Sequence, residues 1–225
     1  MPEIIIVMKI PTATALSIFL FSTIAFANEW STIEGQINNN ADSMADACVS
    51  IKADSGAWGS GVIVSQSGVI FSAAHVYKRV GESVTVYLSK GQKRARAKVI
   101  KMDRKHDIAV LNLSSKIAVN PAKVVAKESV IMGKTMVAAG HASGYNKERK
   151  SPLRVGFGFH ERRRGMIYTT CRITAGDSGG PLYNEDGAVC AVHHTMDGNG
   201  KFSAHVPVHR FFQLWPELSN SVPYV

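Results

Sequence analysis

Ser178 lies in the run Thr174-Ala175-Gly176-Asp177-Ser178-Gly179-Gly180-Pro181. A serine hemmed in by glycines and a proline makes a poor helix or strand. Glycine tolerates left-handed backbone, so the chain can turn sharply here and expose the hydroxyl. The same turn can aim the Gly176 and Ser178 amides at one point, the arrangement that stabilises the oxyanion of an acyl-transfer transition state. A serine hydroxyl is a weak nucleophile at neutral pH, so this chemistry needs a positioned base and a group that orients the base. His75, in Ser72-Ala73-Ala74-His75-Val76 at the end of an apolar run, can serve as that base. Asp107, in Lys105-His106-Asp107-Ile108-Ala109-Val110-Leu111, puts a carboxylate just ahead of a strongly apolar strand and can orient it.

The elements that must position these residues read as β-structure. From Cys48 onward, short runs rich in Val, Ile, Tyr and Phe are punctuated by Gly, Ser, Asn and Asp. Strands are expected at 49–52, 59–64, 69–72, 83–88, 94–101, 108–113, 135–139, 166–170, 181–183, 188–193 and 202–206. Many short strands at this spacing suggest a barrel or a sandwich. Upstream, residues 13–27 form an apolar segment preceded by Lys9 and closed by Ala25-Phe26-Ala27. Residues 1–27 thus read as a signal peptide, too short for a comfortable membrane span, with Met8-Lys9 a tidier start than Met1. The mature chain would begin near Asn28 and be exported to the periplasm or secreted, with no transmembrane segment. Residues 28–46, polar and centred on Asn38-Asn39-Asn40, read as a flexible lead that can hold a short helix.

The order His75, Asp107, Ser178 in these contexts resembles the trypsin-like serine peptidases of the chymotrypsin fold. Gly59-Ser60-Gly61-Val62-Ile63-Val64 through His75, together with Asp107-Ile108-Ala109-Val110-Leu111, is most similar to the bacterial HtrA-type branch. The resemblance runs from about Cys48 to about Phe212. It implies an all-β fold of two six-stranded antiparallel Greek-key barrels with a short C-terminal helix near 207–215. The first barrel (47–120) would carry His75 and Asp107, the second (121–225) Ser178, with the active site in the cleft between. It further implies a catalytic triad of those three residues, an oxyanion hole of the Gly176 and Ser178 amides, protein or peptide substrates, and no cofactor or metal. Within this sequence the resemblance leaves no stretch expected to form the PDZ module that many HtrA-type proteins carry.

The resemblance places Arg172, Ile173, Thr174 and His193 on the substrate pocket. His193 stands where glutamyl endopeptidases of this fold carry a histidine that binds an acidic side chain, and with Arg172 it would favour an acidic P1 residue. Ile173 stands where those enzymes have a threonine, and an apolar wall suits a small aliphatic residue instead. Asp177 departs from the usual HtrA-type asparagine. In activated trypsin-like enzymes this aspartate pairs with a freed N-terminus, and no Ile-Val-Gly-Gly sequence supplies one here. A buried carboxylate without a partner is costly. Either Arg172 or a nearby lysine serves, or the site is latent until processed. A latent site would make the chain a chaperone-like or regulatory binding protein.

The formal charge of +9 favours anionic partners, but no nucleic-acid motif accompanies it, and a solvated basic surface accounts for it. Residues 147–164, rich in Lys and Arg around Gly156-Phe157-Gly158-Phe159, read as a long loop able to attract an anionic surface. Residues 90–105 alternate charged with small and apolar side chains, as an exposed β-ribbon does. Of the three cysteines, Cys171 and Cys190 flank the nucleophile segment, and sequence leaves open a bridge between them. His193 and His194, adjacent on a strand, point to opposite faces, which argues against joint metal binding.

Overall fold

The computed structural model describes residues 13–88, 94–125, 131–147, 150–161, 165–196 and 200–224. Twelve strands follow in chain order. The first six are β1 (Cys48–Lys52), β2 (Trp58–Ile63), β3 (Val69–Ser72), β4 (Ser83–Tyr87), β5 (Arg94–Asp103) and β6 (Ile108–Leu113). They close into one antiparallel barrel in the order β1-β2-β3-β6-β5-β4. The next six are β7 (Thr135–Ala139), β8 (Leu153–Glu161), β9 (Met166–Thr169), β10 (Pro181–Tyr183), β11 (Val189–Met196) and β12 (Ser203–Pro207). They close in the order β10-β11-β12-β9-β8-β7. Closure removes the exposed edges that would otherwise template aggregation.

Side-chain alternation explains the first barrel well. In β5, Ala95, Ala97 and Val99 are buried while Arg94, Arg96 and Lys98 face water, so the expected ribbon is a barrel strand paired on both sides, with β4 and β6. The second barrel holds an element that the sequence hid. Residues 153–161, expected to be part of a long loop, form β8. Its pattern is inverted: Gly156 and Gly158 are buried while Val155 and Phe157 are exposed. A Cβ on Gly156 would stand 2.6 Å from the Cys171 amide nitrogen, and one on Gly158 would stand 2.6 Å from the Ile131 carbonyl oxygen. Close approach of neighbouring backbone demands glycine where a strand normally buries a branched side chain, and the periodic signal is lost. Of the basic residues expected on that loop, Arg149, Arg162, Arg163 and Arg164 lie outside the described residues.

Two helices tie the barrels together. The short C-terminal helix α2 (His209–Leu214) buries Phe211, which stacks on Phe71 of the first barrel with ring centroids 4.1 Å apart. A 3-10 turn, Pro216–Asn220, follows it. At the other end, α1 (Ala13–Ala47) includes the segment 28–46 that sequence presents as a flexible lead. That expectation is corrected by docking. Met44, Ala45 and Ala47 are buried, the Tyr183 hydroxyl donates to the Met44 carbonyl at 2.9 Å, and Lys150 pairs with Asp42 at 2.8 Å. Among the described residues no helix is long and apolar enough to cross a membrane. Cys48, Cys171 and Cys190 are all free and buried, so the bridge left open between Cys171 and Cys190 is not formed.

Candidate active site

His75 sits in a single 3-10 turn, Ala74–Val76, that follows β3 directly. Asp107 caps the entry to β6 with φ of 56°, a left-handed backbone uncommon outside glycine. This strained turn brings the carboxylate back onto the histidine. Asp107 Oδ1 accepts the His75 amide at 2.8 Å, and Oδ2 meets His75 Nδ1 at 2.8 Å. A ring nitrogen facing a carboxylate carries the proton, which leaves the lone pair on Nε2. His194 of β11 also brings its Nδ1 to Asp107 Oδ2, at 2.5 Å. Burial alone would raise the Asp107 carboxyl, but hydrogen bonds from His194 and His75, with the His75 charge, hold it well below the usual carboxylate range. The metal-donor atoms of His75, Asp107 and His194 lie within 4.8 Å of one another. Both Nδ1 atoms point their protons at the shared oxygen, however, and an N–H cannot also offer a lone pair to a metal.

Ser178 is presented by a loop clamped to the first barrel. Gly176 has φ of 96°, and a Cβ there would stand 2.7 Å from the His141 carbonyl oxygen, so only glycine fits. Ser60 of β2 makes the clamp: its hydroxyl donates to the Gly176 carbonyl and its amide to the Ser178 carbonyl, each at 2.8 Å. The same hydroxyl accepts the His141 amide at 2.9 Å. A Cβ on neighbouring Gly59 would meet both Val76 methyls at 2.8 Å and the Ser178 carbonyl at 3.2 Å, so the serine loop lies against the turn that carries His75. Among the described residues, the Gly176 and Ser178 amides donate to no backbone carbonyl, and no hydrogen bond joins the Ser178 hydroxyl to the His75 ring. Hydrogen bonds of this kind are commonly long before substrate binds.

Between those two amides lies Asp177, wholly buried. Its Oδ2 accepts Arg154 Nη1 at 2.6 Å and the Thr174 amide at 2.8 Å. The partner is therefore neither Arg172, which is exposed, nor a lysine, but an arginine from the strand that sequence reading missed.

The residues expected on the pocket divide. Arg172 and Thr174 are exposed, Ile173 is buried, and the Ile173 amide meets the Ser203 hydroxyl at 3.3 Å. His193 is fully buried and uses both ring nitrogens internally. Its Nε2 donates to the Ala139 carbonyl at 3.1 Å, so Nδ1 accepts from His205 Nδ1–H at 2.9 Å, and His205 Nε2 accepts from the Thr169 hydroxyl at 2.8 Å. Burial first, and the Arg154 charge second, push His193 down to about 3, so it is neutral. It has no donor left for an acidic substrate side chain. Sequence reasoning did not assign Ser60 or Arg154 to the site, and it placed His194 only on the strand 192–195 expected to line the pocket, not against Asp107. Gly59-Ser60-Gly61 carried a signal only as part of a family motif, whereas Arg154 carried none.

The family model for a trypsin-like peptidase domain matches residues 59–192, more than half of the chain. The chain belongs to that family. It is 29% identical over 169 residues to "Serine protease HTRA1" of Xenopus laevis, covering 72% of this chain and 36% of that one. It is 30% identical over 172 residues to a Buchnera aphidicola protein named "Probable periplasmic serine endoprotease DegP-like", covering 72% and 36%. Its fold is that of a serine endoprotease from Yersinia pestis, with a TM-score of 0.67 at 21% identity over 78% of this chain and 64% of the other. The chain spans between 20% and 36% of the length of these and other curated relatives it matches.

Proposed function

We propose that this trypsin-like chain is an exported serine endopeptidase that cleaves peptide bonds through an acyl-enzyme. The observation that carries the reading is the paired contact of His75 with Asp107, beside a serine loop clamped by Ser60. His75 Nε2 takes the Ser178 proton as the hydroxyl attacks the scissile carbonyl. The Gly176 and Ser178 amides, free of carbonyl partners among the described residues, receive the oxyanion. Asp107, held anionic, stabilises the His75 imidazolium that then protonates the leaving amine, and water resolves the ester. Export rests on the apolar segment ending at Ala27 and on the word "periplasmic" in the names of DegP-like relatives. A latent site followed from an unpaired Asp177, and with Arg154 in place that reason falls away.

A preference for acidic P1 residues rests on Arg172 alone, because His193 has no free donor. Arg172→Ala should therefore flatten a Glu-over-Ala preference in a peptide library without abolishing cleavage. The function is tested with unfolded casein as substrate. Ser178→Ala and His75→Ala should each reduce cleavage at least ~10⁴-fold. Casein held but never cut by the parent protein would overturn the reading in favour of a binding protein.

A further inference from the structure

A cavity of about 400 Å³ adjoins Asp107, with Arg104, Lys105, His106, His194 and Arg210 on its walls. Both barrels and α2 contribute: the first three residues come from the turn before β6, His194 from β11 and Arg210 from α2. Arg104 is fixed by Nη2 donating to the Tyr77 and Lys78 carbonyls at 2.9 and 2.8 Å. The Arg210 guanidinium fills the space where a Cβ on Gly165 would stand, and Gly165 has φ of 60°. Among the described residues, none of Arg104, Lys105 and Arg210 has a carboxylate partner.

The acidic groups facing the cavity are already engaged. Asp107 receives His75 and His194, and Asp103, behind the wall, receives the His106 amide and ring nitrogen at 2.7 and 2.8 Å. Each of these two wall histidines spends Nδ1 on a carboxylate, which leaves Nε2 for a ligand. Arg104, Lys105 and Arg210 outnumber the two carboxylates beside them, Asp103 and Asp107, so the cavity keeps a net positive field that an anion relieves. Guanidinium forks match the oxygens of phosphate, and a protonated imidazole adds a charged donor.

The geometry points to a binding site for a small phosphate-bearing anion in this cavity, which shares Asp107 and His194 with the proposed triad site. The volume exceeds that of one phosphate and suits a compact phosphorylated molecule. An anion at His194 Nε2 favours the imidazolium, a second cation on the Asp107 oxygen that His75 uses. On the proposed triad, occupancy therefore weakens the support for a His75 imidazolium and lowers kcat. Binding itself does not depend on that reading.

Calorimetric titration of the full-length protein with inorganic pyrophosphate tests the site. The expected result is saturable binding of one equivalent, with Arg210→Ala and Lys105→Ala each weakening it at least ~10-fold. Lys98→Ala, a charge removed from an exposed position of β5, should leave it within about twofold. His194→Ala should weaken binding as well, since His194 lines the cavity. Melting curves of each variant establish that it is folded. No saturable binding, or equal weakening by Lys98→Ala, would overturn the proposal, because it would leave only the diffuse field of a basic protein.

Discussion

At the scale of single residues, the decisive contact is the one that neutralises Asp177. Its carboxylate is fully buried between the two amides proposed to receive the oxyanion, and Arg154 meets it at 2.6 Å. Removing one partner of a buried pair leaves the other charge uncompensated, at a cost of about 3–5 kcal/mol. Arg154→Met should therefore lower the melting temperature and reduce kcat with little change in KM. Thermal unfolding and steady-state peptide hydrolysis check both. Unchanged melting and kcat would show that the pair positions nothing. The contact of His75 with Asp107 was legible because their short contexts, with that of Ser178, were read together in chain order, none of them sufficing alone. The partner of Asp177 and the second partner of Asp107 were not: Arg154 is 23 residues from Asp177, and His194 is 87 from Asp107. Only barrel closure brings them together.

At the scale of elements, eleven of the twelve strands were readable from alternation and turn residues, and β8 was not. Its inward positions are Arg154, Gly156 and Gly158, so the strand turns a half-buried charge and two bare backbones inward while exposing Val155 and Phe157. The glycines that hide the strand let it lie close against Ile131 and Cys171. Gly158→Val should therefore destabilise the fold by at least about 1–3 kcal/mol, since the obstacle is backbone rather than a movable side chain. A urea midpoint equal to that of the parent protein would contradict this close approach. The docked end of α1 was missed for a different reason. Its buried residues, Met44, Ala45 and Ala47, are too few and too small to stand out from a polar segment. Met44→Ala should cost about 2–5 kcal/mol, read from the same urea curves.

At the scale of the whole molecule, buried titrating groups set a window of pH stability. His193 is pushed down to about 3 and His205 well below its ordinary value, both chiefly by burial. Below about pH 6.5 the unfolded chain binds protons that the folded chain refuses, so stability falls with pH, by up to about 1.4 kcal/mol per unit for each histidine. Asp107, held low, adds stability that is present above about pH 4 and lost as pH falls further. On the alkaline side, burial pushes Cys48 and Cys190 up to about 12. Their contribution is intact below about pH 8.5 and is lost as pH rises through the folded values. The urea midpoint should peak between about pH 6.5 and 8.5 and decline on both sides. A midpoint flat from pH 7 to pH 4 would contradict neutral burial of the two histidines.

The central claim is that Ser178, activated by His75, is a nucleophile, and the mass of the intact folded protein after reaction with a fluorophosphonate tests it most directly. The account predicts a single adduct on the parent protein, absent from Ser178→Ala and much reduced in His75→Ala. A parent protein that stays folded and gains no adduct, or an adduct that survives in Ser178→Ala, would contradict it.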